Sequence, residues 1–247
     1  MPFWNQYTIN GFIKAREKTN VAVMVTGALE AHGEHGPLGT DSLLPDHLAK
    51  AVAEKTNALV LPTIPFGDSW YFNQFKGTVS VEPNTLVNLY ISVMKGVFKQ
   101  GFRYLIVING HEGNTSHLAT AAKKATMKGE RVVIIVDWWR DLAKDARKIT
   151  LETPEGHAAE DETSEMMYVH PHLVDMSEVK AARVVTRFRI VSAQYRKDLY
   201  PSALYGDPRK ATVDKGRLIM EQAEEELIEL VNQVEKGKLP YENTIVS

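Results

Sequence analysis

The chain has 247 residues, of which 44% are hydrophobic and 24% charged, and its formal net charge is −2. This composition is typical of a folded globular protein and excludes a disordered or fibrous one. The acidic and basic residues are interspersed, which excludes the basic surface that nucleic acids and anionic membranes attract, so we predict neither partner. Cysteine is absent, which excludes disulfides and thiolate ligands, so any metal ion must be held by histidine and carboxylate side chains.

The length is at the upper end of what one domain accommodates. No linker, repeat or low-complexity segment divides the chain, so we expect residues 1–247 to form a single domain. Residues 1–20 contain no continuous apolar stretch of the kind a signal peptide needs. The longest apolar runs, such as 132–136, are far shorter than the ~20 residues of a membrane helix. We therefore expect a cytoplasmic protein.

Apolar runs rich in β-branched residues alternate with helical segments along the chain. The predicted strands are 21–25, 58–61, 104–108 and 132–136. The predicted helices are 42–56, 84–100, 114–128, one that extends through Tyr168, and a long amphipathic helix over 215–237. Wholly apolar strands are buried on both faces, so this order predicts a three-layer α/β/α sandwich with a mostly parallel central sheet. Residues 183–208 have no clean period and give no prediction.

Polar residues that can bind metal ions follow the predicted strands. Glu30, His32 and Asp41 come after the first strand, and His111 comes after the third. Ligands of open α/β sheets bind beyond the carboxyl ends of the strands, so we expect these side chains to meet there. Carboxylate oxygen and imidazole nitrogen bind divalent cations, and two neighbouring ions need a bridging carboxylate. The pattern favours a metal site in which Asp41 is the bridge.

Three segments resemble motifs of the creatininase (creatinine amidohydrolase) family. Glu30-Ala-His-Gly-Glu-His-Gly-Pro-Leu-Gly-Thr-Asp41 resembles Glu-Gln-His-Gly-Pro-His-Leu-Pro-Leu-x-Thr-Asp, and Asn109-Gly-His-Glu-Gly-Asn114 resembles Asn-Gly-His-Gly-Gly-Asn. Residues 156–164, Gly-His-Ala-Ala-Glu-Asp-Glu-Thr-Ser, resemble Gly-His-Ala-Gly-Glu-x-Glu-Thr-Ser. The motifs occur in the family's order and span most of residues 21–170. The resemblance implies a creatininase-like fold and a homo-oligomer such as a hexamer.

The resemblance also implies a site for two divalent ions of zinc, manganese or iron. The ligands that it implies are Glu30 and His111 on one ion, His32 on the other, and Asp41 between them. In creatininases proper, a glutamate two residues after the histidine of Asn-Gly-His completes the second ion's ligands, but Gly113 stands there in this chain. We expect Glu160, which follows Gly-His-Ala, to take its place, with Glu112 as the alternative ligand.

Metal ions activate bound water as a nucleophile, and the reaction then needs a group that gives a proton to the leaving atom. His157 is the expected catalytic residue, because imidazole titrates near neutrality and the resemblance places it beside the metals. Glu112 is an additional carboxylate that can act at the site. Candidate substrate-binding residues are Trp138 and Trp139, whose indoles strand alternation would send to opposite faces, Trp70 in the loop after the second strand, and His35.

These observations predict a hydrolase that opens a small cyclic amide, the small-molecule substrate that the resemblance implies. The absence of a glutamate at Gly113 argues against creatinine itself. Opening of a cyclic ketone or lactone from sugar or cyclitol breakdown is an alternative, because a metal-bound hydroxide attacks any suitably held carbonyl. A non-enzymatic metal-binding protein is an alternative of another class. No Gly-x-Gly-x-x-Gly follows the first strand, which argues against a dinucleotide-dependent oxidoreductase.

Overall fold

A computed structural model describes residues 3–241 of the chain. Within these residues, four parallel strands form one sheet in the order β2-β1-β3-β4. The strands are β1 (Val21–Thr26), β2 (Leu59–Val60), β3 (Tyr104–Asn109) and β4 (Val132–Asp137). The two central strands, β1 and β3, are buried along their whole length, as their continuous apolar sequences require. The predicted parallel sheet is confirmed.

Helices connect the strands and follow the sheet. They are α1 (Ile9–Arg16), α2 (Thr40–Lys55), α3 (Pro83–Lys99), α4 (Thr115–Ala125), α5 (Trp138–Asp141), α6 (Lys144–Thr150), α7 (Glu160–Val169), α8 (Arg196–Leu199) and α9 (Val213–Glu235). Short 3-10 helices lie at Trp4–Gln6, Glu112–Asn114, Pro171–Leu173, Met176–Glu178, Pro201–Ala203 and Pro208–Lys210. In the part of the chain that the structure describes, no helix combines the length and apolar character needed to cross a membrane.

The sheet separates two apolar clusters. Val21, Val23 and Val25 of β1 face a cluster that includes side chains of α2, α6, α7 and α9. Ala22 and Met24, which alternate with them, face a second cluster formed mainly with α3 and α4. Both faces of the sheet are therefore covered, and the predicted three-layer α/β/α arrangement is confirmed.

The strands extend one residue further than their apolar runs, and the additional residues are polar. Thr26, Asn109 and Asp137 end β1, β3 and β4 and lie in register across the sheet. The Thr26 hydroxyl donates to Asn109 Oδ1 at 3.0 Å, and Asn109 Nδ2 donates to Asp137 Oδ1 at 2.7 Å. Because each buried polar group has a partner on the next strand, this row fixes the carboxyl edge of the sheet, where the loops begin.

Helices α7 and α9 pack at very short range, and a glycine makes this possible. A Cβ atom at Gly216 of α9 would lie 1.9 Å from the carbonyl oxygen of Ser164 in α7. The Ser164 side chain also connects the two helices, because its hydroxyl accepts a hydrogen bond at 3.1 Å from the backbone N–H of Thr212, the residue before α9. The position of α7 against the sheet therefore depends on the missing side chain at Gly216.

We predict that Gly216→Ala destabilises the protein, by about 1–3 kcal/mol, because the added methyl group must push α7 and α9 apart. The matched control is Gly96→Ala, in the interior of α3, where a Cβ atom would meet no other atom within 4 Å. That change is expected to stabilise the helix, by about 0.5–1 kcal/mol. Urea unfolding followed by circular dichroism measures both, and effects of the same sign would contradict the packing argument.

Candidate metal centre

Two loops at the carboxyl edge of the sheet and the first turn of α2 bring the first four predicted ligands together. Glu30 and His32 lie on the connection between β1 and α2, Asp41 in the first turn of α2, and His111 directly after β3. Asp41 Oδ1 is 3.0 Å from His32 Nε2, and Asp41 Oδ2 is 2.9 Å from His111 Nδ1. The two oxygens of one carboxylate thus face two different imidazoles, which is the arrangement expected of a bridging ligand.

The close approach of these loops depends on Gly110. A Cβ atom there would lie 2.0 Å from the backbone oxygen of Asp41. Any other residue would therefore push the loop after β3 away from the start of α2. This contact explains why glycine precedes His111 in the Asn-Gly-His motif.

A further carboxylate, that of Glu162, completes the cluster. Its Oε2 atom is 3.7 Å from His32 Nε2, and it lies in the first turn of α7. Potential ligand atoms lie within 4.8 Å of one another in three sets. These sets are Glu30 with Asp41 and His111, His32 with Asp41 and Glu162, and Glu30 with His32 and His157. Asp41 is common to the first two, so the cluster offers two adjoining sets of ligands.

Backbone carbonyls orient all three histidines of the cluster. His32 Nδ1 lies 3.1 Å from the Glu30 oxygen, His111 Nε2 lies 2.9 Å from the Asp68 oxygen, and His157 Nε2 lies 2.8 Å from the Ala31 oxygen. A carbonyl oxygen can only accept, so each of these nitrogens carries the proton, and the other nitrogen of each ring faces the carboxylates. Histidine ligands of metal ions in proteins are oriented by hydrogen bonds of this kind.

The cluster concentrates acidic groups in a buried place. Burial alone would lower the pKa of His32, but the neighbouring carboxylates of Asp41, Glu162 and Glu30 together outweigh it and raise that pKa to about 10. Burial raises the pKa of Glu162 well above its usual value. Among the described residues, the buried atoms Glu30 Oε2, Asp41 Oδ2 and His32 Nε2 have no hydrogen-bond partner. A divalent cation would satisfy all three atoms, so the residues present fit a metal site.

Comparison with known proteins identifies the family. A family model described as "Creatininase: Creatinine amidohydrolase" matches residues 5–231. The creatinine amidohydrolase of Pseudomonas putida is 30% identical over 221 residues, which cover 81% of this chain and 84% of that protein. The chain belongs to the creatininase family. The resemblance found in the motifs is thereby confirmed.

Other relatives of this chain have different names and a similar level of sequence identity to it. A mycofactocin precursor peptide peptidase of Mycolicibacterium smegmatis is 27% identical over 213 residues, which cover 81% of this chain and 79% of that protein. A 3-dehydro-scyllo-inosose hydrolase of Thermotoga maritima is 28% identical over 179 residues, which cover 70% of this chain and 57% of that protein. The relatives are hydrolases that act on different substrates, so family membership leaves the substrate open.

Solved creatininase structures share the fold. "Creatininase Mn" superimposes with a TM-score of 0.84 at 23% identity and covers 95% of this chain and 98% of that one. A mutant creatininase of Zn-Zn type superimposes with a TM-score of 0.83 at 24% identity and covers 94% of this chain and 98% of that one. At this identity the likeness establishes the creatininase-like α/β fold.

Glu160, the residue expected to complete the second ion's ligands, points away from the cluster. Its carboxylate accepts hydrogen bonds from the backbone N–H groups of Glu152 and Thr153 and from the Thr153 hydroxyl, and it pairs with Lys215. Successive helical residues are about 100° apart, so Glu160 and Glu162 in the first turn of α7 face nearly opposite directions. The geometry therefore favours Glu162 over the predicted Glu160, because Glu162 faces the cluster and Glu160 faces α9.

Sequence reasoning missed Glu162, although it is the second glutamate of the same Gly-His-Ala-Ala-Glu-Asp-Glu motif. Glu162 could have been identified if the first residue of α7 had been known, because that residue sets the direction of each side chain in the first turn. The alternative ligand, Glu112, is exposed and belongs to none of the three ligand sets. Gly113, where creatininases proper have a glutamate, has no room for a side chain, because a Cβ atom would lie 2.1 Å from the Asp68 backbone oxygen.

His157 lies at the accessible side of the cluster, with Nδ1 3.6 Å from Glu30 Oε1. Its ring stacks on Phe72, with centroids 4.1 Å apart and an angle of 20° between the planes. Burial lowers the pKa of His157 to about 4, and the charge of His32 contributes to this shift. The imidazole is therefore neutral near pH 7, with its Nδ1 lone pair towards the cluster.

Aromatic side chains beside His157 form a wall, which consists of Trp70, Tyr71, Phe72, Phe75 and Tyr200. The Phe72 and Tyr200 rings are 5.1 Å apart, and those of Tyr71 and Tyr200 are 5.5 Å apart. Trp70, a predicted substrate-binding residue, stacks edge-on against Tyr71 at the outer end of the wall. The Tyr71 hydroxyl raises the pKa of Arg189 through a hydrogen bond, so a cation also lies at the wall.

The remaining predicted substrate-binding residues lie elsewhere. Trp138 is 2% exposed and belongs to the apolar cluster beneath the sheet, and Trp139 packs against the same cluster. Strand alternation does not apply to them, because β4 ends at Asp137 and a helical turn begins at Trp138. His35 is buried behind the cluster, where its Nε2 atom lies 2.9 Å from the Thr163 hydroxyl. The structure thus places the side chains of Trp138, Trp139 and His35 in the protein interior and away from the aromatic wall.

We predict that Glu162→Gln lowers the metal content of the purified protein from two ions per chain to one. Glu160→Gln is the matched control: it removes the same charge from the same helical turn, and it is expected to keep both ions while weakening the contact with Lys215. Glu112→Gln is also expected to keep both. Elemental analysis measures the content, and loss of an ion from Glu160→Gln with retention in Glu162→Gln would reverse our assignment.

Proposed function

We propose that this protein is a hydrolase that holds two divalent metal ions and opens a small cyclic amide other than creatinine. The observation that carries the proposal is the position of Asp41, whose two oxygens lie 3.0 Å from His32 Nε2 and 2.9 Å from His111 Nδ1. Two ligand sets that share one carboxylate are suited to a pair of ions. Membership of the creatininase family supports hydrolysis as the reaction.

In this proposal, Glu30 and His111 hold one ion, His32 and Glu162 hold the other, and Asp41 contacts both. The ligand set of carboxylate oxygen and imidazole nitrogen suits zinc, manganese or iron. The Mn and Zn-Zn types of creatininase structure support the first two of these metals. When bound, such ions lower the pKa of coordinated water towards about 7 and polarise a carbonyl group.

His157 is the residue that we expect to move the proton. Its Nε2–H is held by the Ala31 carbonyl at 2.8 Å, so only Nδ1 is available to accept a proton from the nucleophilic water. Nδ1 lies 3.6 Å from Glu30 Oε1, beside the cluster. Nδ1 can then return the proton to the ring nitrogen that leaves. The stacked Phe72 ring restricts rotation of the imidazole and keeps Nδ1 in this direction.

The aromatic wall is the surface that we expect to position the substrate. Phe72, Tyr71 and Tyr200 offer ring faces and edges to a flat cyclic molecule, and Trp70 extends this surface outwards. Burial raises the pKa of Tyr200, and the charges of Tyr71 and the exposed Glu112 add to this shift, so Glu112 acts on the same surface. Polar contacts from Glu112 and aromatic contacts from the wall would together select the substrate.

A second candidate function is the opening of a cyclic ketone or lactone. A relative named 3-dehydro-scyllo-inosose hydrolase, 28% identical to this chain, favours it. Water adds to the carbonyl carbon in both cases; in a lactone the ring C–O bond then breaks and the oxygen takes the proton from His157 Nδ1, whereas in a cyclic ketone the ring C–C bond breaks and the leaving carbon takes that proton. A homo-oligomer such as a hexamer is also part of the proposal.

The decisive experiment combines elemental analysis of the purified protein with a hydrolysis screen over cyclic amides, lactones, cyclic ketones and short peptides. Turnover of a cyclic amide other than creatinine supports the proposal, and turnover of a ketone or lactone alone supports the second candidate. A protein that contains two metal ions and is inactive on every class would instead favour a non-enzymatic metal-binding role.

Asp41→Ala is expected to lose both ions and all hydrolytic activity, because it removes the carboxylate that both ligand sets share. Asp145→Ala is the control, since Asp145 also lies in the first turn of a helix but is exposed and outside the cluster. Circular dichroism should show that both variants fold. Two ions retained in Asp41→Ala would disprove the bridging assignment.

His157→Gln tests proton transfer. The glutamine amide can still donate to the Ala31 carbonyl, but it cannot take up a proton, so kcat is expected to fall by about 10²–10⁴-fold while both ions remain bound. The control is His47→Gln. His47 lies on α2 and pairs with Glu224 of α9, so this change should leave kcat unchanged. If kcat of His157→Gln equals that of wild type, His157 does not transfer the proton.

A further inference from the structure

The segment that carries His157 joins α6 to α7 and comprises residues 151–159 of the described chain. It contains neither helix nor strand, and we call it the His157 segment. Conformational entropy opposes a single path for such a segment unless individual contacts compensate it. The imidazole itself is held by the hydrogen bond from Nε2 to the Ala31 carbonyl at 2.8 Å. The direction of Nδ1 therefore also depends on what holds the backbone of this segment.

Glu160, the first residue of α7, reaches back to the start of the His157 segment. Its carboxylate accepts hydrogen bonds from the backbone N–H of Glu152 at 3.1 Å, from that of Thr153 at 2.7 Å and from the Thr153 hydroxyl at 2.6 Å. Lys215 of α9 donates to the same carboxylate at 2.5 Å. The Glu160 side chain is fully buried. Its contacts thus join the segment to α7 and α9.

The hydrogen-bonding groups that contact the Glu160 carboxylate are all donors. An ionised carboxylate only accepts, so it satisfies the whole set, whereas an amide would direct two N–H groups at other donors. Buried donors that lose their acceptor disfavour the arrangement that contains them. Glutamine at this position, although it has nearly the same shape, would therefore release the start of the segment.

Contacts with residues 205–207 connect the start of the segment to His157. The Thr153 hydroxyl lies 3.3 Å from the Asp207 carbonyl oxygen, and the His157 carbonyl accepts from the Tyr205 N–H at 3.0 Å. Between these contacts, a Cβ atom at Gly156 would lie 1.9 Å from the Tyr205 carbonyl oxygen. Because both parts of the segment pack this closely on the same three residues, a displacement of Thr153 also displaces His157.

The next two residues of α7 hold the later part of the segment. Asp161 Oδ1 lies 3.4 Å from the backbone nitrogen of Gly156, and Glu162 Oε2 accepts from the Ala158 N–H at 2.6 Å. Glu162 is also a proposed ligand, whereas Glu160 belongs to none of the three ligand sets. Glu160 is therefore the contact whose effect on His157 can be measured while both ions stay bound.

We propose that Glu160 is a positioning residue, which fixes the direction of His157 Nδ1 by holding the start of the His157 segment. The positioning stands on the hydrogen bonds of Glu160 with Glu152 and Thr153. Its effect on catalysis rests on the proposed function. Glu160 acts through His157, so its replacement should slow proton transfer and leave the metal ligands in place.

Nuclear magnetic resonance of the full-length, zinc-loaded protein labelled with ¹⁵N-histidine tests the positioning without reference to activity. His157→Gln identifies the His157 signals by removing them. Wild type should show one tautomer of His157, with a protonated Nε2 and an unprotonated Nδ1. In Glu160→Gln the two nitrogen signals should move towards each other, because the ring no longer keeps one position. Unchanged His157 signals in this variant overturn the proposal.

Thr153→Val keeps the proposal testable if Glu160→Gln folds poorly. It removes the hydroxyl that donates to Glu160 and preserves the shape of the side chain. The His157 signals should move in the same direction as in Glu160→Gln, by a smaller amount, since the backbone N–H groups still reach the carboxylate. Signals identical to those of wild type would contradict the role of this contact.

Glu165→Gln is the matched control. Glu165 is also a fully buried glutamate of α7 with a cation of its own, but that cation is Arg147 of α6, at 2.8 Å. Both variants remove one buried negative charge from the same helix, and both should unfold at a lower urea concentration than wild type. Only Glu160→Gln should alter the His157 signals. Equal changes in the two variants would indicate a general loosening of α7 and would overturn the proposal.

Kinetics on a substrate that wild type hydrolyses test the consequence for catalysis. For Glu160→Gln we expect kcat to fall about 10- to 100-fold with KM unchanged and both ions retained, because the proton acceptor is misplaced. The double variant with His157→Gln should be no slower than His157→Gln alone, since Glu160 acts through that residue. Losses that multiply in the double variant, or a raised KM with unchanged kcat, would refute this coupling.

The two kinds of measurement separate the positioning from the proposed function. If wild type is inactive on every substrate class while the His157 signals move as expected, the positioning is supported and the proposed function is refuted. If wild type hydrolyses a substrate and Glu160→Gln retains both the wild-type signals and the wild-type kcat, the positioning is refuted and the proposed function is unaffected.

Discussion

The metal centre depends on one carboxylate, that of Asp41, held between two imidazoles. His32 approaches one oxygen from the connection after β1, and His111 approaches the other from the loop after β3. Their positions are set by the row of polar residues that ends the strands and by Gly110, whose lack of a side chain lets the loop after β3 touch the start of α2. The sheet, the loops and the first turn of α2 thus converge on a single side chain.

The buried carboxylates of the protein fall into two groups that differ in what neutralises them. Glu160 has Lys215, and Glu165 has the buried guanidinium of Arg147 at 2.8 Å. These groups carry their own cations and connect α7 to α9 and α6. Glu30 and Asp41, which are buried, and Glu162, which is partly buried, have imidazoles as neighbours but neither lysine nor arginine among the described ion pairs. A buried negative charge without a permanent cation needs a proton or a metal ion, which distinguishes the candidate ligand carboxylates from the structural ones.

The fold could be predicted because wholly apolar strands alternate with amphipathic helices, and the layers follow from that alternation. The positions of Glu30, His32, Asp41 and His111 could be predicted because glycine-rich motifs at strand ends leave few paths for the chain. The prediction of Glu160 differs from the geometry, in which Glu162 faces the cluster, because the difference depends on which residue begins α7, a boundary that motif spacing does not determine. The expectation for Trp138 and Trp139 assumed that strand alternation continues past Asp137, whereas a helical turn begins at Trp138.

The position of Glu162 also bears on substrate selection. Gly113 packs against the Asp68 carbonyl and has no room for a side chain, whereas the carboxylate nearest to His32 after Asp41 comes from α7. The side of the cluster near Gly113 is therefore left to the aromatic wall, which comes from segments that the family motifs do not cover. The motifs thus position the candidate ligands, while segments outside the motifs form the aromatic surface beside them.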